Sequence, residues 1–430
     1  MKIVNTIRKM VKSDLGGSAL IYTISSFCNS AIPFVLLPVL TNYLTSAQYG
    51  VLSTFNAMVS LLTPFVCMGT TTAIQRKMIE PDAKMDEYLY NCFLVSAICE
   101  LIVGFFVVIN SGFIEKYTGV SSSLLPSFLL VLISTVFFNN CKVVMQMKNK
   151  TKSFAIYQNL STLINVILSL FFVIILGLQL KGRIYGISLS LIITAFIGSV
   201  YLIRSLGLKC CVSLDTIKDI VFSYGLPLIP SSIKATVLTY TDRVFITNMV
   251  SLSATGIYSV GNQFSLPIMI LETSFNTAYV PWLFQKLKDN NSKEKIVKFT
   301  YLYFLVITIV SLGWYLISIP LLRIFTPAEY GSAGEYIFWL SLGYAFNGMH
   351  LMVVNYIYYY KRVKIYSGVT VFVLLLNIIL NYLLINYYGT VGAAQATMVS
   401  NFVSFLLTWI LVSKICDMPW LYFIKKKKEV

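Results

Sequence analysis

Residues 365–413 contain no Asp, Glu, Lys or Arg. A helix that crosses the hydrocarbon of a bilayer needs about 20 apolar residues. The run is therefore too long for one crossing and reads as two, joined at "NYYGTVG" (386–392). Stretches of the same character recur along the chain. They account for a composition that is 57% hydrophobic and 12% charged, with a mean hydropathy of +0.77, where soluble domains run near 45–50% and 25%. The chain is read as an all-α polytopic membrane protein.

Twelve spans are expected, over 15–40, 47–74, 89–111, 124–147, 154–179, 183–205, 219–250, 255–284, 298–322, 334–360, 365–388 and 391–414. Lys2, Arg8, Lys9 and Lys12 precede the first. That span is too long for a signal peptide and lacks a small-residue cleavage site, so it reads as a retained helix. An even number of spans puts both termini on one side. Lys and Arg crowd the segments on that side, from Arg76, Lys77 and Lys84 through Lys286–Lys298 to Lys425–Lys428. The opposite side holds only Lys116, Lys181, Arg183 and Arg323. This asymmetry places the termini in the cytoplasm. It also explains the net charge of +16 without a nucleic-acid partner, for which no basic domain or recognition motif is present.

The chain carries weak internal similarity. "TNYLTSAQYGVLSTFN" (41–56) and "TNMVSLSATGIYSVGN" (247–262) share Thr, Asn, Gly, Ser and Asn at matching places, and Asn165 with Gly177 matches Asn377 with Gly389. Two spacings of nearly half the chain imply two six-helix halves of like orientation, residues 1–210 and 211–430, enclosing a cleft at their interface.

Charge inside a span costs about 2.5–3.5 kcal/mol on insertion scales and usually faces a cavity or a partner. The seventh span, "YGLPLIPSSIKATVLTYTDRVFITNMV", carries Lys234, Asp242 and Arg243 with Pro227 and Pro230 near its start. On a straight helix Lys234 and Arg243 project to opposite faces, so both line one cavity only if the helix is bent or rotates; Pro227 and Pro230 offer a kink, but both precede Lys234, which leaves the point open. Asp242 has two readings, part of the cavity wall or local partner of Arg243. In the eighth span Gly261, Ser265, Glu272 and Asn276 share a face, which suits a wet cavity with Glu272 as an ion coupler, or helix packing through small and polar residues. Glu100 in the third span is the other membrane carboxylate. Gln158, Thr162, Asn165 and Ser169 in the fifth span, and Thr370, Asn377 and Asn381 in the eleventh, line the same cleft or pack. Lys142 reads as a snorkelling lysine.

Catalytic and metal-binding groups are not expected. There is no phosphate-binding loop, no HExxH and no Cys/His cluster, and His350 is the single histidine. The eight cysteines are scattered, and their even number is no sign of disulfides. The outer loops are too short for a catalytic domain, which counts against a membrane enzyme. No cofactor is called for, and transport would run on a gradient or on substrate supply.

Three segments carry a family resemblance. "FVLLPVLTNYLTSAQYGVLSTFN" resembles the first helix hairpin of polysaccharide transporters. "YGLPLIPSSIKATVLTYTDRVFI" followed by "TGIYSVGNQF" resembles their seventh and eighth helices, and "LLLNIILNYLLINYYGTVGAAQAT" their last two. In this order the segments are similar to the Wzx-type O-antigen flippases, relatives of MATE exporters and lipid II flippases. The resemblance implies a V-shaped, MATE-like pair of six-helix bundles in the bacterial inner membrane. It implies alternating access that moves undecaprenyl-diphosphate-linked O-antigen repeat units to the periplasmic leaflet, coupled to protons or sodium. It implies a cation-lined cavity, for which only the "DR" pair, Asp242 and Arg243, carries over. Membrane lipids, a polysaccharide polymerase and a chain-length regulator are the implied partners. A gradient-driven small-molecule exporter of the same fold is the alternative.

Overall fold

The computed structural model describes residues 25, 29, 33–80, 84–207, 210–287, 293–360 and 362–420, with the backbone alone at 206, 231, 233–235, 238, 239, 363 and 364. The described residues are overwhelmingly helical and contain no strand. Nine helices among them are long and apolar enough to cross a membrane. Three more places are filled by a short helix at Pro33–Tyr43 and by two long, more polar helices, Leu226–Met249 and Leu252–Leu287. Most of the expected first span lies outside the described residues.

The Cα positions divide the chain into two compact units, Met1–Tyr240 and Thr241–Val430. In the first, the helices are α1 (Pro33–Tyr43), α2 (Ser46–Cys67), α3 (Thr70–Lys77), α4 (Met85–Ile109), α5 (Ser111–Thr118), α6 (Leu125–Met147), α7 (Thr151–Leu170), α8 (Gln179–Leu206) and the single turn α9 (Leu214–Lys218). Helix α10 (Leu226–Met249) runs on into the second unit, which continues with α11 (Leu252–Leu287), α12 (Lys293–Phe325), α13 (Ala333–Tyr359), α14 (Val363–Tyr388) and α15 (Thr390–Ile415).

The expected second span, 47–74, is broken. α2 ends at Met68 and Gly69, both in left-handed conformation (φ 43° and 66°), before α3 begins. A Cβ on Gly69 would stand 3.0 Å from the Tyr224 carbonyl. That contact is with a wide π-helical turn, Asp219–Gly225, at the entry to α10. Pro227 has no N–H to donate, and the ladder widens just before it. Pro230 sits inside the regular helix that follows.

Each unit has its own apolar core. In the first it gathers around Ile74, Leu89, Cys92, Cys141, Val144 and Leu202. In the second it gathers around Ile296, Val297, Val353, Tyr356, Ile357 and Val412. Large apolar side chains also face outward, such as Leu101, Phe105 and Ile109 on α4 and Leu316 on α12. That is the arrangement expected of helices solvated by lipid.

The two segments with internal similarity have the same local structure. Asn42 and Asn248 each donate Nδ2–H to the carbonyl four residues back, at 2.7 Å. Thr45 and Ser251 each accept a backbone N–H three residues on, capping the next helix. Gly177 and Gly389 both follow a helix end at positive φ, 62° and 59°, a conformation open to glycine at no steric cost.

Candidate functional site

Asp242 and Arg243 are 7% and 6% exposed, next to each other in the last third of α10. An ion taken out of water costs several kcal/mol unless its partner is well placed. Asp242 Oδ1 accepts from the Arg243 guanidinium at 2.8 Å and from the Arg243 backbone N–H at 2.8 Å. Asp242 Oδ2 accepts the hydroxyl of Tyr258 on α11 at 2.5 Å. The guanidinium lies 5.8 Å from the centre of the Tyr258 ring, within cation–π range. Of the two readings of Asp242, this is the geometry of the local partner. Tyr258 was not singled out, although it belongs to the "GIYS" stretch. Lys234 lies on α10, and its side chain is outside the described residues.

The polar face of α11 lies against α13. A Cβ on Gly261 would be 2.9 Å from the Ala333 carbonyl. Ser265 donates to the Gly261 carbonyl at 3.1 Å and reaches the Ile337 carbonyl at 3.5 Å. Glu272 Oε1 accepts from Asn347 at 2.7 Å, and Asn276 accepts from Asn355 at 2.7 Å. The stripe seen in the sequence is thus a polar seam between two parallel helices. One atom on it is unusual: Glu272 is fully buried, and its Oε2 has no hydrogen-bond partner.

In the first unit, Asn165 Oδ1 accepts from Arg183 at 2.7 Å, and Ser169 Oγ accepts from the same guanidinium. Arg183 was expected at the edge of an outer loop. Instead α8 begins at Gln179, so Arg183 sits in its second turn and ties α8 to the Asn165 face of α7. Higher on that face, Thr162 donates to Asn29. Glu100 on α4 has both carboxyl oxygens enclosed and without a partner, as has Ser96 Oγ one turn away. Lys142 lies 4.8 Å from the centre of the Phe138 ring.

Asn377 on α14 is 4% exposed, donates to Ser400 on α15 at 3.2 Å and accepts from Asn381 at 3.1 Å. His350 Nε2 is 3.0 Å from Tyr366 Oη. Asp242, Arg243, Glu272 and Asn377 belong to the second unit, where Asp242 and Arg243 are paired; Asn165 and Glu100 belong to the first.

Among solved structures, the chain is similar to the lipid II flippase MurJ in an inward closed conformation, with a TM-score of 0.75 at 15% identity, covering 92% of this chain and 87% of that one. It is also similar to an inward-facing multidrug resistance MATE family transporter, with a TM-score of 0.69 at 13% identity over 90% and 94% of the two chains. These likenesses establish a MATE-like fold. Curated relatives include Lsg locus putative protein 1 of Haemophilus influenzae, 24% identical over 361 residues, which are 82% of this chain and 87% of that protein. An uncharacterized membrane protein of Methanocaldococcus jannaschii is 25% identical over 385 residues, 85% and 89% of the two chains. The MatE family model matches residues 227–383. The polysaccharide biosynthesis protein family model matches residues 15–287, well over half of the sequence, and the chain belongs to that family.

Proposed function

We propose that this protein is a flippase that carries an undecaprenyl-diphosphate-linked oligosaccharide, an O-antigen repeat unit, from the cytoplasmic to the periplasmic leaflet of a bacterial inner membrane. In this reading both termini are cytoplasmic and no covalent chemistry occurs. Residues 1–210 and 211–430 act as two repeats that alternate access around a central path. The observation that carries the reading is membership in a polysaccharide biosynthesis family on a fold resembling that of a flippase named for a lipid-linked substrate.

The diphosphate headgroup is anionic, and crossing hydrocarbon requires charge compensation. Lys234 and Arg243 are assigned to that task, with Asp242 holding Arg243 in place between cargoes. Asn165, with Arg183, offers polar contacts of the kind sugar hydroxyls use. Asn377 supports the α14–α15 pairing beside the path. Glu272 and Glu100 take up the coupling ion, a proton or sodium. A polymerase and a chain-length regulator would receive the product.

The test is reconstitution of the purified chain into phosphatidylethanolamine–phosphatidylglycerol vesicles with a fluorescent undecaprenyl-diphosphate oligosaccharide. Accessibility to a membrane-impermeant glycosidase reports the leaflet. The accessible fraction rises with time in protein-containing vesicles; a fraction that stays at the protein-free level overturns the reading. A second reading, an ion-coupled small-molecule exporter, draws on the MatE match over 227–383. Drug tolerance on overexpression, with surface polysaccharide unchanged on deletion, would select it.

A further inference from the structure

The chain does not leave the second unit where α15 ends at Ile415. Pro419 disfavours helix at Met418. Cys416–Trp420 instead folds back in two tight turns, with Met418 N–H on the Cys416 carbonyl at 2.9 Å and Trp420 N–H on the Met418 carbonyl at 2.8 Å. Cys416, Met418 and Trp420 are all buried. The Trp420 ring packs edge-on against Trp409 of α15, 5.7 Å between centres, and against Tyr356 of α13 at 5.8 Å. Its main-chain carbonyl accepts the hydroxyl of Tyr301 on α12 at 2.7 Å. A segment beyond the last helix is ordinarily loose unless tied down. This one is tied to three helices.

The tie fixes where the following sequence starts. Tyr301 lies only about 12 Å along α12 from Lys293, at 1.5 Å per residue. α12 has 33 residues, more than the roughly 20 that hydrocarbon requires. Its first turns, with Lys293 and the exposed Lys295 and Lys298, are therefore at headgroup level. Lys414, in the last turn of α15, is exposed as well. Residues 421–430 lie outside the described residues, and their sequence is LYFIKKKKEV. Five residues of chain reach at most about 18 Å, so Lys425 begins within that distance of Trp420. This end of the unit gathers ten lysines, in Lys286–Lys298, Lys414 and Lys425–Lys428, against four acidic residues.

Charge that only orients a span needs to be near it in sequence, which leaves the docking of Trp420 unexplained. We propose that Cys416–Trp420 is an anchor holding Leu421–Lys428 on the membrane surface, where Lys425–Lys428 and the lysines that open α12 bind the headgroups of anionic phospholipids such as phosphatidylglycerol. The two parts of the segment suit the two layers of that surface. Leu421, Tyr422, Phe423 and Ile424 match the acyl boundary, where aromatic side chains concentrate. The four ammonium groups match the phosphates, at about fivefold in affinity per lysine. The apolar stretch between anchor and lysines favours a lipid surface over an acidic protein, since an apolar and a basic signal together give stable membrane attachment where one alone is marginal. The anchor also keeps the lysines at high local concentration beside the headgroups. Neither the cargo nor its coupling ion bears on this attachment.

The test uses the purified full chain in phosphatidylcholine vesicles with and without phosphatidylglycerol. Its lysines are acetylated with N-acetoxysuccinimide, an uncharged reagent that reaches both faces. Mass spectrometry reads the rate at Lys425–Lys428 relative to that at Lys181, an exposed lysine that the sequence assigns to the opposite side. Phosphatidylglycerol should slow the relative rate about fivefold or more. Salt at about 1 M, which shortens the Debye length to about 3 Å, should abolish the difference. Trp420→Ala and Tyr301→Phe should each reduce the protection, and the second removes one hydroxyl while keeping the ring. Equal relative rates in the two kinds of vesicle would overturn the proposal and leave the lysines as orientation signals. Full protection in both variants would overturn the anchor.

Discussion

The hydroxyl of Tyr258 on α11 donates to Asp242 Oδ2 at 2.5 Å while Asp242 Oδ1 holds the guanidinium of Arg243. The phenol therefore closes the second oxygen of a carboxylate whose first oxygen is already committed. The pair is buried as a neutral unit instead of two isolated ions. This is how α10 tolerates two charged side chains buried inside the unit.

Asp242→Asn removes the carboxylate that holds the Arg243 guanidinium and should cost about 3–5 kcal/mol of stability. Arg243→Gln should cost a similar amount, and the double variant clearly less than the two together. Thermal unfolding in detergent of the four proteins gives the coupling. Additive losses would show that the contact is incidental.

Tyr258→Phe keeps the ring and its packing against Tyr336 but removes the donor to a charged acceptor. The expected loss is about 1.5–3 kcal/mol, read by the same unfolding assay. An unchanged midpoint would mean that Asp242 Oδ2 is satisfied by other means.

The many-span helical plan was legible because apolar length is a property of contiguous sequence, and nine such helices stand among the described residues. Gly261, Ser265, Glu272 and Asn276 were legible as one stripe for a similar reason, since helical periodicity reports which residues share a face. What that face meets was not legible. Asn347 and Asn355 lie 75 and 79 residues downstream, and nothing local distinguishes an asparagine that faces a partner helix from one that faces water. The broken second helix was missed because "VCMGTTT" is apolar enough to continue a span. The signal was Gly69, whose positive φ is fixed by contact with the Tyr224–Gly225 backbone, far away in sequence. Arg183 was placed in a loop because charge near a span end is normally outside it; its tie to Asn165 reverses that expectation.

Gly348→Ala puts a methyl within 3.0 Å of both Glu272 Oε2 and Tyr303 Oη. The helices must separate or the side chains must turn, at a cost of about 1–3 kcal/mol. Transport should fall with stability, and Tyr303→Phe in the same chain should not restore it. Wild-type behaviour of Gly348→Ala would remove the close three-helix contact around Glu272.

Gly69→Ala forces a side chain into left-handed backbone at φ 66° and toward the Tyr224 carbonyl 3.0 Å away. Backbone strain of this kind costs about 1–3 kcal/mol. Destabilisation should appear as a lower unfolding midpoint. Ala at Gly112, which has open space around it, is the control and should change little.

The most direct measurement is deletion of the gene followed by leaflet-resolved analysis of lipid-linked glycans. The account predicts that undecaprenyl-diphosphate oligosaccharides accumulate on the cytoplasmic leaflet and that surface polysaccharide is lost, both restored by the wild-type gene. Unchanged surface polysaccharide, with no intermediate stranded inside, would contradict it.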